Sequence, residues 1–189
     1  MELVLDQQKS NPSSIFLNPV GSVKDFGLDL GMHVADFGAG AGHFTKAIAN
    51  AVGGSGVVSA VDIKRSSLEV IDGIKKIDGL FQIRTVQGNL EQKGGSKLED
   101  NSQDLVLCSN ILHQVNNLSV ILEEAHRVLK PKGSLVVIDW FEKAILGPLS
   151  RISQEDIDKL ATSVGFKKNR EIDAGGLHYG MVFKKNNKI

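Results

Sequence analysis

The sequence predicts one α/β domain whose mostly parallel sheet ends in an antiparallel hairpin. Apolar runs suited to buried strands alternate with helical periods along most of the 189 residues, which is the pattern of successive βαβ units. The last two apolar runs are separated only by residues 174–177, too few for a crossover helix, so we expect them to pair antiparallel. A chain of this length can bury a sizeable core without disulfides or metals. We therefore expect residues 1–189 to form a single domain.

Seven segments are predicted as strands, because each is an apolar run bounded by glycine, proline or polar residues. In chain order they cover residues 33–37, 57–61, 81–86, 104–108, 135–138, 167–173 and 178–183. The fourth is fully apolar between polar ends, as expected for a central strand. The polar stretch 91–103 is predicted as a surface loop, and residues 1–20, which contain two prolines, as a loose N-terminal arm or lid.

Four helices are predicted after the first, second, fourth and fifth strands, where apolar residues recur with helical spacing. Their apolar positions are Phe44, Ala47, Ile48 and Ala51; Val70, Ile71, Ile74 and Ile77; Leu118, Ile121, Leu122, Ala125, Val128 and Leu129; and Ile157, Leu160, Ala161 and Val164. Ser66 or Ser67 is available to cap the second helix. Residues 130–133, with proline and glycine, are predicted to end the third, and Ser153 to cap the fourth.

Composition limits the partners that the protein can have. Its 22 basic side chains are balanced by 22 acidic ones, so the clustered positive charge that nucleic acid requires is not expected. A single cysteine, Cys108, rules out an intramolecular disulfide and leaves nothing resembling a zinc cluster, so no metal site is predicted. The N-terminal segment lacks the bases of a signal peptide, and no apolar run approaches the length of a membrane helix. We therefore expect a cytoplasmic protein, and make no prediction of its oligomeric state.

A glycine-rich loop predicts a site for a nucleotide-type cofactor. Gly38, Gly40 and Gly42 alternate between the end of the first strand and the start of a helix, so the backbone can approach a ligand where a Cβ would collide. Asp62, at the end of the second strand, is placed to accept hydrogen bonds from a ribose diol. His43 occupies the position where a dinucleotide-binding loop has its third glycine, which argues against a nicotinamide cofactor.

The segment Asp36-Phe37-Gly38-Ala39-Gly40-Ala41-Gly42 resembles the first motif of class I methyltransferases that use S-adenosylmethionine. The resemblance continues through Asp62, Gly88-Asn89-Leu90, residues 104–110 and residues 127–139. It implies a Rossmann-like, doubly wound sheet of seven strands in the order 3-2-1-4-5-7-6, with strand 7 antiparallel and helices on both faces. A looser resemblance to the methyltransferase-11, or ubiquinone/menaquinone-biosynthesis-like, group implies a small-molecule acceptor.

The same resemblance assigns residues to the cofactor, whose product would be S-adenosylhomocysteine. Asp62 matches the acid that binds both ribose hydroxyls, and Ile63 matches the apolar residue against the adenine. Asn89 departs from the aspartate common at its position, although its amide oxygen can still accept a hydrogen bond from the adenine amino group. The full predicted cofactor set is Asp36, Gly38, Ala39, Gly40, Gly42, Asp62, Ile63, Asn89, Leu90, Ser109 and Asn110.

Methyl transfer from a sulfonium is an in-line displacement, so the protein mainly aligns the reactants and excludes water. A general base helps only where the acceptor must lose a proton. His113, after the fourth strand, is the candidate for that role; the alternative is a structural or cofactor-contacting side chain. Gln114, Trp140 and His178 are candidates for the substrate pocket, and packing is the alternative for the two aromatic rings.

Specific residues distinguish the competing functions. The leading hypothesis is a methyltransferase that acts on a small molecule; its alternative is a non-catalytic module that binds S-adenosylmethionine or S-adenosylhomocysteine for sensing or assembly. Nucleic-acid base methylation is disfavoured, because residues 109–112 lack the Asn-Pro-Pro-aromatic form and Cys108 lacks the neighbours of a nucleophilic cysteine. Arsenite methylation would need three cysteines. The identity of the acceptor is not predicted by the sequence.

Overall fold

The computed structural model describes residues 15–186, which form one seven-stranded sheet flanked by helices. The sheet order is β3-β2-β1-β4-β5-β7-β6. Neighbouring strands are parallel from β3 to β5, whereas β7 is antiparallel to both β5 and β6. The strands are β1 (His33–Phe37), β2 (Val57–Asp62), β3 (Ile83–Gln87), β4 (Gln103–Ser109), β5 (Leu129–Trp140), β6 (Phe166–Asp173) and β7 (His178–Lys185). The predicted fold class and strand order are confirmed.

Helices cover both faces of the sheet. They are α1 (Pro19–Ser22), α2 (His43–Val52), α3 (Arg65–Asp78), α4 (Leu118–Val128) and α5 (Gln154–Val164), with short 3-10 turns at Val23–Asp25 and Leu112–Gln114. Alternation along β1 separates the two layers, since successive side chains of a strand point to opposite faces. Val34 packs in the core under α2 and α3, while Ala35 and Phe37 pack in the core under α4 and α5. No helix among residues 15–186 is long and apolar enough to cross a membrane.

The second predicted helix is present, but its inner face and its cap differ from the prediction. Leu68 and Ile71 are buried in α3, whereas Val70 and Ile77 are 52% and 85% exposed. Apolar character alone therefore misplaced the inner stripe by part of a turn. The helix starts at Arg65 without a side-chain cap from either serine, because Lys64 is the N-cap and its N–H donates to Asp62.

The predicted stop after the third predicted helix, which is α4, lies within a strand. The helix α4 ends at Val128, and β5 begins immediately at Leu129 and includes residues 130–133. The pairing of β4 with β5 shifts register between Gln103 and Leu105, which accommodates Lys132 at a φ of +66°. At its other end β5 pairs with β7 through Trp140, two residues beyond the predicted end.

The polar stretch predicted as a surface loop is anchored in the interior. The carboxylate of Glu124 accepts hydrogen bonds from the N–H groups of Gly94 and Ser96 at 3.0 Å each, and from the Ser96 hydroxyl. Ser96 is fully buried, and Arg127 pairs with Glu124 while donating to the carbonyl of Leu98. Burial by itself would raise the pKa of Glu124, but the hydrogen bonds from Arg127 and Ser96 outweigh it and lower the pKa to about 2.

The N-terminal arm is described in part. Residues 1–14 of the predicted arm lie outside the described residues. Residues 15–18 have no regular secondary structure, and Pro19 begins α1 after the side chain of Asn18 caps it. Leu17 packs against the core beneath α2, so this end of the chain reaches the edge of the sheet where β1 ends.

Candidate functional site

Two adjoining cavities lie where β1 to β4 end. The first has a volume of about 350 Å³ and the second about 500 Å³. The first is lined by Gly38, Gly40, Asp62, Ile63, Lys64, Ser67, Gly88, Asn89, Leu90, Glu91, Asn110, Ile111, Gln114 and Val115. The second is lined by Leu17, Pro19, Asp36, Gly38, Ala39, Gly40, His43, Phe44, Ser109, Asn110 and Gln114. Their shared walls are the glycine loop and the segment after β4, as a doubly wound sheet requires of its ligand crevice.

The cavities bring together the residues that the sequence analysis assigned to the cofactor, except Gly42. That glycine is the N-cap of α2, with a φ of +79°. A Cβ there would lie 2.7 Å from Ile71 Cγ1, so Gly42 serves the packing of α2 against α3. The alternating spacing of the three glycines correctly indicated the loop, but the atoms of Gly42 line neither of these two cavities.

The glycine loop is held close to its neighbours on both sides. Gly38 has a φ of +74° and donates its N–H to the carbonyl of Val61 at 2.8 Å. A Cβ on Gly38 would lie 2.5 Å from Ile111 Cδ1. Gly40 is also left-handed, with a φ of +52°. Glycine therefore suits the backbone conformation at both positions, and at Gly38 it also allows the approach of the segment after β4.

Asp62 links this loop to the start of α3. Its Oδ2 accepts the N–H of Gly40 at 2.9 Å, and its Oδ1 accepts the N–H of Lys64 at 2.8 Å. Each carboxylate oxygen can accept a further hydrogen bond. Asp62 lines the first cavity, so the fixed carboxylate can accept hydrogen bonds from two adjacent hydroxyl groups of a ligand.

A second carboxylate, Asp36, lies buried at the wall of the other cavity. The hydroxyl of Thr45 donates to its Oδ2 at 2.6 Å. Burial raises the pKa of Asp36 to about 6; the Thr45 hydrogen bond opposes this rise, and the nearby Asp62 carboxylate adds to it. A positively charged ligand group in this cavity would stabilise the ionised form. Thr45, which was not predicted as a site residue, is buried on the inner face of α2.

Asn89 and Ile63 also line the first cavity. The side-chain oxygen of Asn89 accepts the N–H of Glu91 at 3.0 Å and retains one acceptor position for a ligand. Ile63 is more than half exposed and offers an apolar face. Glu91 in turn accepts the N–H of Asn116 at 3.0 Å, which ties the loop after β3 to the segment after β4.

Asn110 is at the junction of the two cavities and lines both. Its backbone has a φ of +53°, and Gln114 donates to its carbonyl. The side-chain oxygen of Asn110 is buried and has no hydrogen-bond partner among residues 15–186. A buried acceptor without a partner is costly, so the site suits a ligand that brings a donor to this point.

The predicted catalytic and substrate residues have two locations. Gln114 lines both cavities. His113, Trp140 and His178 instead gather around Asp139, which the sequence analysis did not include among the site residues. His113 Nδ1 donates to Asp139 Oδ1 at 2.7 Å, and the Trp140 and His178 rings lie 4.1 Å apart. In the sequence, the feature that could have indicated Asp139 is its position as an acid directly after the apolar run 135–138.

Comparison with known proteins identifies this arrangement. The family model for a methyltransferase domain matches residues 28–180. The demethylmenaquinone methyltransferase of Staphylococcus aureus is 35% identical over 117 residues, which are 62% of this chain and 46% of that protein. The ubiquinone/menaquinone biosynthesis C-methyltransferase UbiE of Haemophilus ducreyi is 35% identical over 127 residues, 67% of this chain and 48% of that protein. The chain thus spans about half the length of these curated relatives.

A solved structure agrees over nearly the whole chain. The SAM-dependent methyltransferase of Aquifex aeolicus is 25% identical and superposes with a TM-score of 0.82, covering 94% of this chain and all of that one. The resemblance drawn from the glycine loop is confirmed: the chain belongs to the methyltransferase domain family.

Proposed function

We propose that this protein transfers the methyl group of S-adenosylmethionine to a small-molecule acceptor. The observation that carries the proposal is the pair of adjoining cavities, which share the glycine loop and Asn110 and are walled by Asp62 on one side and Asp36 on the other. S-adenosylmethionine consists of an adenosine moiety and a charged methionine moiety joined at the sulfonium. Asp62 suits the hydroxyl groups of the first moiety, and Asp36 suits the positive charges of the second. The names of the relatives, which include methyltransferases of quinone biosynthesis, support the same reaction.

In this proposal the first cavity holds the adenosine. Asp62 accepts both ribose hydroxyls, Ile63 packs against the adenine, and Asn89 with Leu90 faces the edge of the base. The second cavity holds the methionine portion, with Asp36 near its positive charges and the glycine loop along its backbone. Bound S-adenosylmethionine supplies an electrophilic methyl group, and the protein's part is to align it and exclude water.

The acceptor is proposed to be a small aromatic molecule of the quinone type. The second cavity would hold it beside the methionine portion of the cofactor, with an apolar wall from Leu17 and Phe44 and polar groups from Gln114 and Ser109. Its volume of about 500 Å³ lies within the range of small-molecule sites. The single-domain organisation and the cytoplasmic location expected from the sequence stay predictions.

The test combines cofactor binding with turnover. Calorimetry should show saturable binding of S-adenosylmethionine, and methyl-labelled cofactor with 1,4-naphthohydroquinone should give a labelled small product. Asp62→Ala should weaken cofactor binding roughly 10- to 150-fold, since a hydrogen bond to a charged group contributes about 1.5–3 kcal/mol. Asp104→Ala is the matched control, because Asp104 also accepts a backbone N–H, that of His33, but lies at the opposite edge of the sheet.

The outcomes separate the candidate functions. Tight binding by Asp62→Ala would contradict the ribose assignment. Saturable binding without transfer to any acceptor would favour the non-catalytic binding module. Absence of binding by the unmodified protein would refute the cofactor assignment altogether. Thermal unfolding of both variants distinguishes lost contacts with the cofactor from lost folding.

A further inference from the structure

Two histidines and a carboxylate form a buried cluster beside the proposed site. Asp139 is the penultimate residue of β5, and it pairs in register with Tyr179 of β7, next to His178. His113 approaches from the 3-10 turn after β4. The cluster is therefore assembled from three strand ends and depends on the antiparallel pairing of β5 with β7.

Asp139 fixes the orientation of the His113 ring. The Asp139 side chain is fully buried, and its Oδ1 accepts hydrogen bonds from His113 Nδ1 at 2.7 Å and from the N–H of Trp140 at 2.8 Å. A carboxylate can only accept hydrogen bonds, so the proton between the two side chains belongs to Nδ1. The lone pair of the neutral ring is then on Nε2.

His113 Nε2 is available to a ligand. It has no hydrogen-bond partner among residues 15–186, and 9% of the side chain remains exposed. Both ring nitrogens of His178 are buried without a partner in the same part of the chain. His113 is thus the histidine of the cluster with an atom open to a bound molecule.

The ionisable groups around Asp139 favour His113 as the group that pairs with its carboxylate. Burial lowers the pKa of His178, and the neighbouring His113 lowers it further, while Asp139 opposes both effects. Tyr179 and Cys108 also interact with Asp139, and burial raises the pKa of each, so both remain uncharged at neutral pH. When His113 takes up a proton, Asp139 is the counter-charge in contact with it.

The position of His113 in the chain connects this cluster to the cavities. It lies between Leu112, which is fully buried, and Gln114, which lines both cavities. The backbone of this turn is held by the hydrogen bond from the Gln114 side chain to the carbonyl of Asn110. The backbone that carries the His113 ring is therefore held in place, one residue from Gln114 in the cavity wall.

We propose that Asp139 is a positioning residue, which holds His113 as the Nδ1–H tautomer so that Nε2 removes a proton from an acceptor with an ionisable hydroxyl group. The inference rests on the proposed function and deepens it. The acceptor O–H bond breaks, its proton bonds to Nε2, and its electron pair stays on the acceptor as the nucleophile for the methyl group. His113 is then the imidazolium paired with Asp139 until the proton leaves to solvent.

The first experiment reads the tautomer directly. The chain has five histidines, so long-range ¹H–¹⁵N correlation of ¹⁵N-histidine-labelled protein can resolve each ring. The unmodified protein should show His113 protonated at Nδ1 when neutral, and Asp139→Asn should populate the Nε2–H form. An unmodified His113 protonated at Nε2, or an Asp139→Asn variant with the unmodified pattern, would overturn the positioning role.

The second experiment measures proton removal, with 1,4-naphthohydroquinone and its dimethyl ether as probes. The hydroquinone should be methylated and the ether, which has no O–H, should not. His113→Gln and Asp139→Asn should lower kcat between roughly 10²- and 10⁴-fold, with cofactor affinity within about twofold of the unmodified protein. His126→Gln, in a ring packed against Phe166, is the control and should retain full activity.

Each alternative result is decisive. Full activity in His113→Gln, or equal methylation of the ether, would overturn proton removal by His113. A protein that binds S-adenosylmethionine but leaves the hydroquinone unmethylated would overturn the acceptor class inferred here and leave the cofactor assignment intact. Loss of cofactor binding in the unmodified protein would instead refute the proposed function itself.

Discussion

Replacing Asp36 with asparagine should remove the pH dependence of cofactor binding below neutral pH. Asp36 is 2% exposed, and burial raises its pKa from 3.8 to about 6. The unliganded protein therefore takes up a proton at Asp36 as the pH falls through 6. A cofactor with a sulfonium and an ammonium group favours the ionised carboxylate, so the proton must leave on binding.

The size of the effect follows from linkage between binding and protonation. If the bound cofactor returns the pKa of Asp36 to its ordinary value of 3.8, affinity at pH 5 should be about tenfold weaker than at pH 7. The folding stability of the unliganded protein should depend on pH in the opposite direction from the affinity for the cofactor. The raised pKa of Asp36 in the folded state contributes stability at low pH that is lost as the pH rises through 6, by at most about 3 kcal/mol.

Titration calorimetry at pH 5, 6 and 7 checks this prediction. Asp36→Asn should bind with one affinity across the series, weaker than that of the unmodified protein even at pH 5, because the unmodified carboxyl group can still ionise on binding there. Asp104→Asn removes a carboxylate paired with Lys130 at the opposite edge of the sheet and should keep the full pH dependence. A tenfold change that persists in Asp36→Asn, or a flat profile in the unmodified protein, would refute the reasoning.

Two further substitutions test the loops around the site. Glu124→Gln should lower the free energy of unfolding by roughly 3 kcal/mol at pH 7, because the pKa of Glu124 lies at about 2 rather than 4.5; in urea unfolding the difference should shrink as the pH falls from 4.5 towards 2. Gly38→Ala should weaken cofactor binding by about tenfold or more in calorimetry. The φ of +74° is unfavourable for alanine, and the added Cβ would collide with Ile111. Gly54→Ala is the control and should bind normally, because a Cβ at Gly54 would lie in open space.

The geometry of the proposed cofactor side of the site could be predicted because local rules determine it. Alternating glycines at a strand end indicate a turn with left-handed backbone, because glycine adopts that conformation without steric cost. Gly38, Gly40 and Gly42 all adopt it. The carboxyl ends of neighbouring parallel strands share one edge, so Asp62 had to come close to the glycine loop. In each case the spacing in the sequence and the geometry of one βαβ unit were sufficient.

The polar clusters could not be predicted, because their partners come from distant parts of the chain. Glu124 lies on a helix whose pattern gives no sign that residues 94–98 fold over it. Asp139 meets His113 and His178 only once β5 has paired with β7, and periodicity does not determine how far that pairing extends. Ile77 shows the converse limit: an apolar residue in a helix need not lie on the buried face.

The strand order separates the two halves of the proposed reaction. The chain winds outwards through β1, β2 and β3, then returns to the other side of β1 with β4, so the crevice opens between β1 and β4. In the proposed function, residues on the β1–β3 side hold the cofactor, and Asp139 and His178 lie on the β5–β7 side. Asn110, after β4, is at the boundary, and its buried side-chain oxygen has no hydrogen-bond partner within the described part of the chain. Changes at Asp139 or His178 should therefore alter the proposed proton removal without altering the glycine loop.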